Sequence, residues 1–214
     1  MDQQNRRHRV WPPAKPLRLV RGSILSLEDL FRGQFRLTTK QRLGLSVKLA
    51  SSVLQLHSSG WLADDWGRND LLFFDLDGVV VVDNPMVRWM DHRAAMSTER
   101  CGRSVVKYDP SLVSLGIVLI ELHYGMRLEE CSGPGVRDKS EVSGADQTRH
   151  DIAWNLVDFI YEDAGYFYAE AVRRCVRGLD HRESSLEKEG FKREVFWKVL
   201  CPLETNLRHF LGKE

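Results

Sequence analysis

Between residues 71 and 85 the chain reads LLFFDLDGVVVVDNP. Asp75 and Asp77 close one apolar run, and Asp83 closes a second. A carboxylate so placed can attack phosphorus when a cation screens the two anions, so a phosphotransfer enzyme is one reading. The other is mechanical. Asp-Leu-Asp-Gly is turn chemistry, and Asp75 then serves only to reverse the chain between two strands.

The surrounding elements must decide. Residues 71–74 and 79–82 read as two strands, the second a run of four β-branched valines, with 75–78 as the turn between them. Upstream, SLEDLFRG (26–33) has the form of a short helix with Ser26 as N-cap, Glu28 and Asp29 in an acidic first turn, and Gly33 at its end. TTKQRLGLSVKLASSVLQLH (38–57) repeats apolar residues at three- and four-residue spacing on a wide face, which predicts a largely buried helix. Residues 61–70 form a loop.

Residues 84–110 are irregular by pattern, with Trp89 and methionines as scattered apolar anchors. PSLVSLGIVLIELHYG (110–125) is apolar on nearly every side, with Pro110 placed to start it, and belongs at the centre of a helical domain. A glycine-rich, charged surface loop is predicted between Glu129 and Asp146. Helices follow at 148–165, 166–179 and 190–211, the last kinked or split by Pro202. The expected fold class is mainly α with a small β-hairpin.

With 43% hydrophobic residues among 214, there is enough apolar material for one core. Thirty-one basic residues against 30 acidic give a net charge of +1, so the whole chain presents no field that would gather nucleic acid. A local basic cluster, RRHRVWPPAKPLRLVR (6–21), reads as a solvated, flexible arm, with a nucleic-acid or phospholipid contact as the alternative. Residues 1–21 are therefore separated from a folded domain at 22–214. Four cysteines at 101, 131, 175 and 201 have neither zinc-ligand nor disulfide-framework spacing, and no apolar run is long enough to span a membrane. A cytoplasmic protein without a cofactor or structural metal is the expectation. His57 is explained by its place at a helix end, and the aromatic run Phe159, Tyr161, Tyr166, Phe167, Tyr168 by packing among the last helices.

FFDLDGVVVVD resembles the first motif of the haloacid-dehalogenase-like phosphatases. That resemblance implies Asp75 as nucleophile and Asp77 as general acid, both flanking magnesium. It also requires a parallel sheet carrying a Ser or Thr, a Lys and an acidic pair downstream, and beyond Asp83 almost no strand pattern follows.

A longer resemblance begins upstream. Residues 22–61 resemble the part of a protein kinase that runs from just past the hinge through the long helix of the C-terminal lobe. Continuing without a gap, Asp65 takes the place of the catalytic Asp of H-R-D-L-x-x-x-N and Asp70 that of its Asn, and 83-DNP-85 falls where D-F-G stands. SLGIVLIELHYG (114–125) resembles the central apolar helix of that lobe, and AVRRCVRGL (171–179) the helix before its last one.

The catalytic pattern is eroded. Ala63 and Asp64 replace the His and Arg, Asp70 the Asn, and Asn84 and Pro85 the Phe and Gly; Ser111 stands where an Asp would hold the catalytic loop. Twenty-one residues before position 22 cannot supply the N-terminal lobe that grips ATP. Asp65, Asp70 and Asp83 occupy the family's magnesium positions but are expected to cap, turn and end local elements. Trp61 and Trp66 are expected to plug the space a substrate would enter. LASSVLQLH, Trp61, Leu62, Trp66, the helix at 115–122 and 202-PLE-204 are also similar to a family of fungal kinase-like domains of unknown function, found in larger signalling and death-inducing proteins. These resemblances imply a kinase C-lobe-like, pseudokinase module without an N-lobe, non-enzymatic, bound to a protein partner.

Overall fold

A computed structural model describes residues 22–33, 35–57, 59, 61–63, 65–88, 108–131 and 149–213. The arm at 1–21, Asp64, Trp89, Met90, Met96, Cys101 and most of the 129–146 loop lie outside them.

The described chain opens with strand β1, Gly22–Ser26, which runs into α1, Leu27–Arg32. Ser26 is the N-cap, its hydroxyl accepting from the Asp29 amide while Asp29 accepts from the Ser26 amide, a reciprocal capping box. Helix α2, Thr39–Leu56, starts with the same device, Thr38 against Gln41. One face of α2 is buried through Leu45, Ser46, Leu49, Ala50 and Val53, with Leu43, Val47 and Leu54 half-buried beside it.

Strands β2, Leu71–Leu76, and β3, Val79–Val87, form an antiparallel hairpin. The turn is tighter than the predicted four residues. Only Asp77 and Gly78 lie outside the strands, both with positive φ (53° and 84°), the conformation of a two-residue Asp-Gly hairpin turn. β1 pairs antiparallel with β2, so the sheet has three strands in the order β1-β2-β3, one more than the sequence pattern predicts. GSILS carries only a faint strand signal; its conformation is set by pairing with β2.

β3 also runs past the four valines into residues expected to be irregular, and Pro85 lies within it, where an N–H is missing from the ladder. The register shifts there: Leu72 pairs Met86 and Phe74 pairs Val81, so a two-residue step on β2 is matched by five residues on β3. A bulge on an edge strand is where a sheet tolerates proline.

Helix α3, Pro110–Tyr124, is the centre of the fold, with Leu115, Val118, Leu119, Ile120 and Leu122 fully buried. Asp109 caps its start by accepting from the Ser111 and Leu112 amides, and Gly125, in the left-handed region at φ 68°, ends it. A single 3-10 turn, Leu128–Glu130, follows. Helices α4, Arg149–Ala164, and α5, Tyr166–Arg177, pack on α3 and on each other. Gly116 of α3 allows the closest approach: a Cβ there would lie 2.6 Å from Val176 Cγ2 and 2.9 Å from Cys175 Cβ.

The last predicted helix is split, as Pro202 requires. α6, Glu189–Val195, passes into a π-helical segment, Phe196–Leu200, and then into α7, Cys201–Phe210. Without an N–H at residue 202 one α-helical bond is lost, and the preceding turn widens so that the Cys201 amide reaches the Phe196 carbonyl. Among the described residues the architecture is thus mainly helical, built around α3 with a small antiparallel sheet against α1 and α2.

Candidate functional site

Asp75 is half-buried in β2. Its Oδ1 accepts from the Gly78 amide at 2.9 Å and its Oδ2 from Ser23 Oγ at 3.1 Å, which fixes the hairpin turn and ties β1 to it. Asp77 occupies the positive-φ turn position and is exposed. The strand that ends in these two residues is the middle one of an antiparallel sheet, so among the described residues the parallel scaffold that a phosphatase nucleophile needs is replaced by a meander.

Asp70 is also occupied. Its Oδ2 accepts from the Gly67 amide at 3.0 Å, its amide donates to the Gly67 carbonyl, and its carbonyl accepts from the Arg88 amide. Asp83 stands exposed in the β3 bulge, 3.6 Å from Lys48 Nζ of α2, which also donates to the Asp83 carbonyl. Asp65 is exposed on its loop. The positions aligned by sequence do not converge: among the described residues no three His, Cys, Asp or Glu side chains form a group that could hold a metal ion.

The two tryptophans part ways. Trp66 is buried and its Nε1 donates to the Ser111 carbonyl at 3.3 Å, so the loop is pinned to the start of α3. Trp61 is 58% exposed and plugs nothing among the described residues, a correction to the expected pair. Its indole follows a loop bend held by Ser59, with no described element to cover it. His57 ends α2 as expected, its Nδ1 against the Leu54 carbonyl. In the aromatic run, Tyr168 is fully buried and donates to the Leu119 carbonyl at 2.8 Å, whereas Tyr166 is 66% exposed and does not serve the core.

Beneath the loop lies a charge network that sequence patterning did not single out. Glu121, on the apolar helix α3, is fully buried and receives Arg68 Nη1, Arg149 Nη2 at 3.0 Å and the Leu128 amide at 3.2 Å. Arg68 extends the network to Glu28 of α1, through Nε at 2.5 Å, and to Glu129. Burial pushes the Glu121 carboxyl up, against the opposing pull of Arg68 and Arg149. Burial also acts upward on Glu28, but there Arg68, Arg127 and Arg32 outweigh it and hold the carboxyl below its ordinary range. One signal was available: a lone Glu in a helix apolar all round demands a buried cation.

A cavity of about 380 Å³ opens elsewhere, lined by Arg42 and Leu43 of α2, His123, Asp163, Tyr168 and Phe210. Arg42 donates to the His123 carbonyl and Asp163 accepts from Tyr124 OH at 3.3 Å. Burial, with Arg42 alongside, depresses the His123 pKa despite Asp163, so the imidazole is neutral near pH 7. Cation and carboxylate are both committed to the surrounding helices, which makes the cavity a mixed polar recess. The described thiols are free, and burial raises all three, Cys131 to about 12. A raised thiol keeps its proton near neutral pH, which disfavours the nucleophilic thiolate.

Among the described residues no helix is long and apolar enough to cross a membrane. A family model described as a domain of unknown function (DUF7580) matches residues 4–210, nearly the whole chain. No curated protein and no solved structure matches it.

Proposed function

We infer that this chain, which belongs to the DUF7580 family, is a non-catalytic interaction or regulatory module resembling an eroded protein-kinase C-terminal lobe. Among the described residues the order of elements supports the resemblance: a strand and short helix, a long helix, a loop, a hairpin, an apolar central helix and then three more helical stretches. One observation carries the absence of chemistry. Asp70 and Asp83, at the magnesium positions of that family, are engaged by the protein itself, Asp70 by the Gly67 amide and Asp83 by Lys48. The loop that would hold a catalytic Asp is instead fastened by Trp66 to α3 and by Arg68 to Glu121. Such a lobe acts by presenting surfaces to a protein partner, in a reducing intracellular compartment that suits free thiols. The resemblance to fungal kinase-like domains favours a partner in signalling or death-type responses.

Thermal denaturation with and without magnesium and ATP tests this. The melting temperature is expected to stay unchanged as nucleotide is raised; a saturable increase that needs both components overturns it.

A further inference from the structure

Opposite charges line the cavity beside α2, α3, α4 and α7 without neutralising each other. Arg42 and Asp163 both border it, yet among the described residues they form no ion pair. Each is only partly engaged by the fold. Arg42 Nη1 holds the His123 carbonyl and Nη2 lies 3.4 Å from Thr39 Oγ1, which leaves the other donors of a five-donor fork. Asp163 Oδ2 accepts from the Tyr124 hydroxyl, and its Oδ1 accepts nothing among the described residues. The side-chain amide of Asn206 and the imidazole of His123 also border the cavity, and neither has a hydrogen-bond partner among the described residues. Arg42 and Asp163 act on that one imidazole in opposite senses, so both stand near it. Leu43, half-buried, and Phe210, 50% exposed, add apolar wall. At about 380 Å³ the recess falls within the range of small-molecule sites, and apolar walls with a few convergent polar groups are their usual make-up.

We propose that this cavity binds a free α-amino acid with an apolar side chain. The carboxylate of such a ligand suits the open donors of Arg42, whose planar fork matches two oxygens. Its ammonium, a donor only, suits Asp163 Oδ1. Its side chain then lies against Leu43 and Phe210. Charge balance makes the class selective. A simple carboxylate leaves Asp163 facing it and a simple amine leaves Arg42, and each mismatch lowers affinity in a recess partly withdrawn from water. None of Asp65, Asp70 and Asp83 lines the cavity. The site therefore goes beyond the reading of an interaction module by giving that module a chemical input, and it needs no catalysis.

Isothermal titration of the full chain with L-leucine and L-phenylalanine, and with N-acetyl-L-leucine and L-leucinol, tests the assignment. At least one of the two amino acids is expected to bind saturably, and the two analogues, each lacking one of the charges, to bind about tenfold or more weakly. Asp163→Asn, at an exposed position, and Phe210→Ala, at the end of α7, should each weaken amino-acid binding by a similar factor, with thermal melts confirming that the variants are folded. Phe210→Ala removes no hydrogen bond, so the test stands if Asp163→Asn, which loosens the Tyr124 contact, does not fold. Three results overturn the proposal: no saturable binding of either amino acid, analogues that bind as tightly as L-leucine, or binding that neither variant weakens.

Discussion

The indole Nε1 of Trp66 donates to the main-chain carbonyl of Ser111 across 3.3 Å, both residues being buried. The loop that carries Trp66 is thereby anchored by an aromatic side chain to the first turn of the central helix. Trp66→Phe keeps most of the buried area but removes the donor, and is expected to cost about 1–2 kcal/mol. Urea unfolding checks this, with the midpoint falling and the slope unchanged.

Two glycines in helices should respond in opposite directions to alanine. Gly116→Ala drives a methyl into Val176 and Cys175 at the junction of α3 and α5, and should destabilise by about 1–3 kcal/mol. A methyl on Gly44 in α2 would meet nothing within 4 Å, so Gly44→Ala should gain about 0.5–1 kcal/mol. Paired thermal melts read both signs.

Glu121 separates the worth of a buried charge from the worth of its hydrogen bonds. Glu121→Ala strips partners from Arg68, Arg149 and the Leu128 amide, and should cost about 2–4 kcal/mol. Glu121→Gln keeps an acceptor without a buried charge and should cost much less. The folded pKa of Glu121 is raised, so the stability linked to its protonation is present in acid and lost as pH rises through that value. Wild type should therefore gain on the Gln variant as pH falls, which denaturant midpoints measured across the acid range will show.

The Glu170 cluster has the opposite sign. Its carboxyl accepts from Arg173, Arg174 and Tyr161, and Arg173 above all holds it down to about 2, against an ordinary 4.5. The stability it provides is complete above the unfolded value of 4.5 and is lost as pH falls toward about 2. The full shift corresponds to about 3 kcal/mol, which solvent screening at this partly exposed site reduces to about 1–2 kcal/mol. Glu170→Gln should lose that much at pH 7 and nothing near pH 2, by denaturation across the range.

The helical architecture was legible because local signals agreed with the global packing: Ser26 as cap, Pro110 as start and Pro202 as break each act within one turn. β1 was not legible, because its strand state comes from pairing with residues some fifty positions away. Trp61 and Trp66 are alike in sequence yet differ in burial, since a loop's path decides which indole reaches a carbonyl of α3. Spacing placed Asp65, Asp70 and Asp83 in kinase order, but ligation needs convergence in space. The bulge at Pro85 and the ammonium of Lys48, neither visible in the spacing, determine where Asp83 stands and what it meets.

The most direct measurement is a manganese titration of the isotopically labelled protein, in the presence and absence of ATP, followed by the amide signals of residues 65–84. If these aspartates serve the fold, broadening will be weak, non-saturating and spread over exposed carboxylates. Saturable broadening centred on Asp65, Asp70 and Asp83 together, lost in Asp83→Asn, would contradict the account and restore a cation site to the loop.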